Sequence, residues 1–294
     1  MIQRLRVFFI SALVVLAPAY SQAQPVNTNT QVLVSIKPLA LIYAALTAPQ
    51  APAANILVPA DANLHDFSLS IRQLDTVSKA DLIFWLGPKT EPYLAELAQR
   101  FKQSDQQWVL LQDQMHGWLE PDVAAEIAIT MAQALVQRYP AHKSQIEQRL
   151  VDFQRSIHTL ETTWQGRFAS LSDTPFLLGH SAFEHLTHEL GLTGAVEYQG
   201  SHSHGHAPTG MQAMLSAQKR IAAGEIRCAV EEPDVDFSRL QQRFSQLRIV
   251  RLSPMAADTQ VTAGGYVDYL DSALAGLYQC LTGQSAANKS TMEQ

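Results

Sequence analysis

The sequence predicts an α/β protein of two lobes, each a roughly four-stranded parallel sheet with flanking helices, joined by one long rigid linking helix. Two features carry this prediction. Short β-rich runs alternate with helix-period stretches, the pattern of parallel strands joined by crossover helices. The eight candidate strands also fall into two clusters of four, separated by an unbroken amphipathic stretch. A chain of 294 residues with 47% apolar content can bury two cores. A closed eight-stranded barrel is the competing arrangement, and the clustering argues against it.

Residues 1–23 read as a secretory signal rather than as part of the fold. Arg4 and Arg6 form a short positive stretch, and 7–16 is apolar with only Ser11 interrupting. Ser21 and Ala23 place small residues where a signal peptidase inspects them, so cleavage is expected after about Ala23. No cysteine lies near that point, which argues against a lipid anchor. The exported chain is expected to be soluble.

The first lobe, 24–141, offers strands at 32–36, 55–58, 82–86 and 108–111, with helices at 39–48, 71–78 and 124–138. The linking helix is expected over 142–171. Ile146, Leu150, Phe153, Ile157, Leu160 and Trp164 recur every three or four residues there, with no Gly or Pro before Gly166. Roughly 25 helical residues span nearly 40 Å. The second lobe, 172–294, offers strands at 176–178, 195–198, 228–231 and 249–252, then a C-terminal helix over 269–281.

The formal charge of −6, and −8 once Arg4 and Arg6 leave with the signal, argues against a nucleic-acid binder. There is no His-Glu-x-x-His, no Gly-x-Ser-x-Gly and no phosphate-binding P-loop. Glu231-Glu232 could supply a base, or be a surface feature at a strand end. The two cysteines, Cys228 and Cys280, would sit in an oxidising compartment after export. They either form a bridge or remain two separate buried thiols.

In open α/β sheets, ligands bind beyond the carboxyl ends of the strands, and with two lobes that place is the cleft between them. Three of the ten histidines follow strands: His65 after the second, His116 after the fourth and His180 directly after the fifth. Three imidazoles suit Zn2+ better than Mn2+, which prefers more oxygen. His202, His204 and His206 alternate with Gly and Ser in a loop that could collect metal weakly. His185 and His188 are expected on the surface, and His142 and His158 on the solvent side of the linking helix.

Four motifs in order give the chain a resemblance. They are Ser35-Ile36-Lys37-Pro38-Leu39, His65-Asp66-Phe67-Ser68-Leu69, Ala80-Asp81-Leu82 through Trp85-Leu86-Gly87-Pro88, and Met115-His116-Gly117-Trp118-Leu119-Glu120-Pro121. Together with the His180 segment and Glu232-Pro233, they resemble the periplasmic zinc-binding proteins of high-affinity zinc ABC importers. The resemblance implies the two-lobed fold, a periplasmic location, and Zn2+ as the transported ligand in the interlobe cleft. It implies His65, His116 and His180 as metal ligands; the loop of His202, His204 and His206, the candidate auxiliary weak sites, departs from the family, whose His-rich insertion precedes the second ligand rather than following the third. It also implies a Cys228–Cys280 disulfide. The implied partner is an inner-membrane zinc ABC permease; a periplasmic zinc chaperone is a further candidate partner, and the chain is expected to be a monomer that binds no nucleic acid and is not an enzyme. Where relatives carry a carboxylate, this chain has Ser253 and Leu64, which leaves water as the expected fourth ligand. The alternatives are a specialised zinc scavenger or chaperone, a zinc-dependent hydrolase using the three histidines, and an adhesin-like interaction protein.

Overall fold

The computed structural model describes residues 30–49, 51, 53–101, 105–198, 210–233 and 235–284. The signal segment 1–23 and His202, His204 and His206 lie outside the described residues. Within them the chain runs β1 (Val32–Val34), α1 (Lys37–Thr47), β2 (Asn55–Ile56), α2 (Ile71–Lys79), β3 (Leu82–Trp85), α3 (Pro92–Arg100), β4 (Gln107–Leu110) and α4 (Pro121–Arg138). The long helix α5 (Lys143–Phe168) follows, with a 3-10 turn at each end. Then come β5 (Phe176–Leu178), α6 (Glu184–Glu189), β6 (Ala195–Glu197), α7 (Gly210–Ala222), β7 (Cys228–Glu231), α8 (Ser238–Arg243), β8 (Arg248–Arg251) and α9 (Gly265–Thr282).

Two open parallel sheets replace any barrel, with strand orders β2-β1-β3-β4 and β6-β5-β7-β8. The central strands β1, β3, β5 and β7 are buried along their whole length, as expected for apolar runs covered on both faces. The edge strands are shorter or half-exposed, and β2 keeps only two paired residues. Leu57 and Val58, expected in that strand, still bond by their N–H groups to the carbonyls of Val34 and Ser35. In each sheet the chain steps to one edge and then crosses back over its first strand, so the topological switch points lie between β1 and β3 and between β5 and β7.

The packing joins the two halves more closely than the strand clusters suggest. α1 is buried over nearly its whole length. α5 turns Ile146, Phe153, Ile157, Leu160, Trp164 and Phe168 inward, close to the expected stripe. The C-terminal helix α9 packs on α1 of the first half and on the linking helix α5, as well as on β7 and β8. One continuous apolar cluster therefore includes side chains of both sheets, and a smaller one lies under α7 and α8. Trp164 Nε1 donates to Asp271 Oδ1 at 2.8 Å, tying α5 to α9. Among the described residues, no helix is long and apolar enough to cross a membrane.

Cys228 opens β7 and Cys280 lies in the last turn of α9, and the two form a disulfide with Cα atoms 5.3 Å apart. The bridge fastens the helix shared by both halves to the second sheet. Its separation of 52 residues corresponds to about 4 kcal/mol of unfolded-state entropy. In the loop after β3, Leu86 N–H donates to Glu91 Oε2 at 2.7 Å, and the Glu91 carboxylate is fully buried. Burial pushes its carboxyl up from 4.5 to about 7.

The Cys228→Ser/Cys280→Ser protein should lose about 2–4 kcal/mol in urea unfolding, and unchanged stability would leave the bridge without a structural role. The folded Glu91 holds a proton that the unfolded chain releases between pH 4.5 and 7, so unfolding free energy should fall as pH rises through that window. The fall attributable to Glu91 is about 3 kcal/mol at 1.36 kcal/mol per unit. Glu91→Gln should flatten that part of the stability–pH curve, and parallel curves for the two proteins would contradict it.

Candidate metal centre

A cavity of about 590 Å3, counting its open mouth, lies where loops from the two sheets meet. Its first wall is the loop leaving β2, from Ala60 to Leu64. That loop is held at both ends. Val58 N–H bonds Ser35 O at 2.9 Å, and Ser70 and Gln73 form a reciprocal cap at the start of α2. Gln73 Nε2 also reaches back to Leu57 O at 2.8 Å, closing the loop on itself. The loop ends in a 3-10 turn, Leu64–Asp66, so His65 directly follows the lining residue Leu64.

His116 forms the second wall. It follows β4 in the left-handed conformation (φ 59°), which costs a non-glycine residue on the order of 1–2 kcal/mol. The surrounding bonds hold it there. Gly117 N–H bonds Gln114 O at 3.1 Å, and Leu119 N–H bonds His116 O at 2.9 Å. Upstream, Asp113 Oδ1 accepts from Lys89 N–H at 2.8 Å, which joins this loop to the one after β3. Gly87 makes the approach possible: at φ 113°, a Cβ there would lie 2.8 Å from the Asp113 carboxylate. Two residues past His116, Trp118 crosses to the second half. Its Nε1 donates to Pro254 O at 2.7 Å, and Tyr266 Oη donates to its carbonyl at 2.6 Å.

His180 comes from the opposite side, immediately beyond β5. Gly179 N–H bonds Val230 O at 3.0 Å, so the ends of β5 and β7 leave their sheet side by side. A Cβ on Gly179 would sit 3.0 Å from Val235 Cγ1, which explains glycine at this close approach. His180 is half-buried, and its ring stands perpendicular to that of His116 with centroids 5.5 Å apart. Glu232, the residue after β7, faces it with Oε2 3.7 Å from His180 Nδ1.

Thus the structure brings His116 and His180 together and places His65 in the turn beside the same cavity. Among the described residues, no three His, Cys, Asp or Glu side chains form a ready metal cluster. Glu232 is the feature the sequence reading left open, and its 3% exposure places it inside the cavity wall. Ser253 turns its hydroxyl to the backbone, accepting from Ala257 N–H at 3.2 Å, while its neighbours Pro254 and Met255 line the cavity. His185, His188 and His158 are exposed as expected. His185 Nδ1 lies 3.8 Å from Glu120 Oε1. His142 departs from its expected solvent-side position: it is buried in the 3-10 turn before α5, where its Nδ1 approaches Gln145 Oε1 at 3.4 Å.

Comparison with known proteins agrees with this architecture. The model of the family described as "ZnuA: Zinc-uptake complex component A periplasmic" matches residues 32–280. The high-affinity zinc uptake system protein ZnuA of Haemophilus ducreyi is 20% identical over 302 residues, covering 86% of this chain and 94% of that protein. A crystal structure of ZnuA superposes with a TM-score of 0.70 at 16% identity, over 86% of this chain and 99% of that one. The laminin-binding protein of Streptococcus agalactiae, described as bifunctional with adhesin and metal transporting activity, gives 0.72 at 19% identity over 86% and 99%. The family comprises solute-binding proteins of transporters rather than enzymes. The chain belongs to the ZnuA family, the periplasmic components of zinc-uptake complexes.

Proposed function

We propose that this protein captures Zn2+ in the periplasm and delivers it to an inner-membrane ABC permease, holding the ion with His65, His116 and His180. In this reading residues 1–23 direct export, and lobes 24–141 and 172–294 grip the ion across helix 142–171. The observation that carries the proposal is the facing pair His116 and His180, brought to one cavity from different sheets. Two imidazoles on one tetrahedral zinc, with Zn–N of about 2.0–2.1 Å, have ring centroids roughly 5 Å apart. The observed 5.5 Å is within a small side-chain adjustment of that value. Loops built this way bring ligands from separate parts of the chain without needing a contiguous motif.

The donor chemistry supports zinc over harder cations. Neutral imidazoles suit Zn2+, whereas Mn2+ favours more oxygen. Ser253 turns its hydroxyl to Ala257 N–H while Pro254 and Met255 line the cavity in its place, which supports water as the fourth ligand. The relatives' names and the family description point the same way.

Competitive titration of the mature protein with a chromophoric chelator near neutral pH should reveal one zinc site tighter than micromolar. His65→Ala, His116→Ala and His180→Ala should each weaken it by more than about 100-fold, beyond what loss of an outer hydrogen-bond partner costs. Near-wild-type affinity in one variant would remove that residue from the ligand set. Deleting 202–206 should spare the tight site; its loss with the loop would overturn the assignment. Affinity should fall below roughly pH 6.5, because only neutral imidazole ligates. α9 packs on both halves and α5 joins them, so zinc should change the X-ray scattering radius little. A large change would contradict a rigid link.

A further inference from the structure

Glu231 and Glu232 are adjacent carboxylates at the end of β7, and the structure gives them different surroundings. Glu231 is tied into the fold: Phe237 N–H donates to its Oε2 at 2.8 Å, and the Arg251 guanidinium bonds its Oε1. Successive side chains at a strand end point to opposite faces, so Glu232 turns the other way, into the cavity. Its side chain is only 2% exposed, and its Oε2 lies 3.7 Å from His180 Nδ1.

Backbone bonds fix the spacing between these two side chains. Gly179 N–H bonds Val230 O at 3.0 Å, which carries the Leu178–Val230 pairing of β5 and β7 up to the residue before His180 and to within two residues of Glu232. Val235 N–H bonds Glu232 O at 2.9 Å and closes the turn that follows. The carboxylate therefore stands on the same rigid sheet as the imidazole, at that sheet's switch point.

We infer that Glu232 is a positioning residue that accepts the Nδ1 proton of His180 and presents Nε2 to the metal. A closure of about 0.8 Å brings the pair to normal hydrogen-bond length. An imidazole held by a carboxylate at one nitrogen is fixed in tautomer and ring orientation, and is more basic at the other. This inference rests on the reading of His180 as a ligand.

The test is the competitive zinc titration applied to Glu232→Gln, Glu232→Asp, His180→Ala and the double variant His180→Ala/Glu232→Gln, with Co2+ absorption recorded on each. Glu232→Gln should weaken zinc by about 10–100-fold while leaving the positions and intensities of the Co2+ bands unchanged. In the His180→Ala background the same change should alter affinity by less than about twofold, since the group it acts through is gone. Glu232→Asp keeps the charge and should lose less than Glu232→Gln. Wild-type affinity in Glu232→Gln would overturn the inference. So would an equal loss in both backgrounds, an Asp variant as weak as the Gln variant, or displaced Co2+ bands, which would make Glu232 a ligand itself. A His180→Ala protein that keeps the tight site would instead overturn the ligand reading beneath it.

Discussion

Trp118 is the joint on which the geometry of the cavity depends. Its indole N–H reaches Pro254 O, and its own carbonyl receives the Tyr266 hydroxyl, so one residue of the first half is held twice by the second. The ring is fully buried, which places both bonds in a poorly solvated setting where an unmade partner would cost about 1–3 kcal/mol. His116 is only two residues earlier, in a left-handed turn with little freedom left. Its ring packs edge-on against Trp118 with centroids 5.4 Å apart. The position of His116 relative to His180 is thereby set by contacts between the halves, not by the first sheet alone.

The two sheets use their ends differently. In the second, His180 and Glu232 follow β5 and β7, the strands that flank the switch point, so both are anchored in central, buried β structure. In the first, His65 and His116 follow the edge strands β2 and β4 and depend on side-chain bonds for placement. The Ser70–Gln73 cap holds one loop, and Asp113 with Gln114 holds the other. One wall of the site is therefore rigid by topology and the other by local hydrogen bonding. Imidazoles therefore stand on both sides of the cavity, with a carboxylate on the rigid side.

Much of this was legible in the sequence because the signals were local. Apolar runs such as Val32-Leu33-Val34 and Phe176-Leu177-Leu178 mark buried parallel strands, and all eight strands fall within two residues of their expected bounds. The strand-end rule then singled out His65, His116 and His180, and the structure brings the His116 and His180 rings together edge to face. What stayed hidden depends on contacts between distant segments. Periodicity shows that α9 is amphipathic but not that its buried face serves both halves. Residue type says that Glu231 and Glu232 are acidic, while only the register of β7 sends one to Arg251 and the other to the cavity. His142 looked like a solvent-side helix residue, yet it sits in the turn before α5 and packs inward.

The proposed cation is held by imidazoles from both halves of the molecule. Zinc K-edge X-ray absorption of the protein loaded with one equivalent of zinc measures that ligand set directly. It should show three imidazole nitrogens at about 2.0–2.1 Å with one light oxygen donor. A spectrum with one imidazole or none, and oxygen donors in their place, would contradict it.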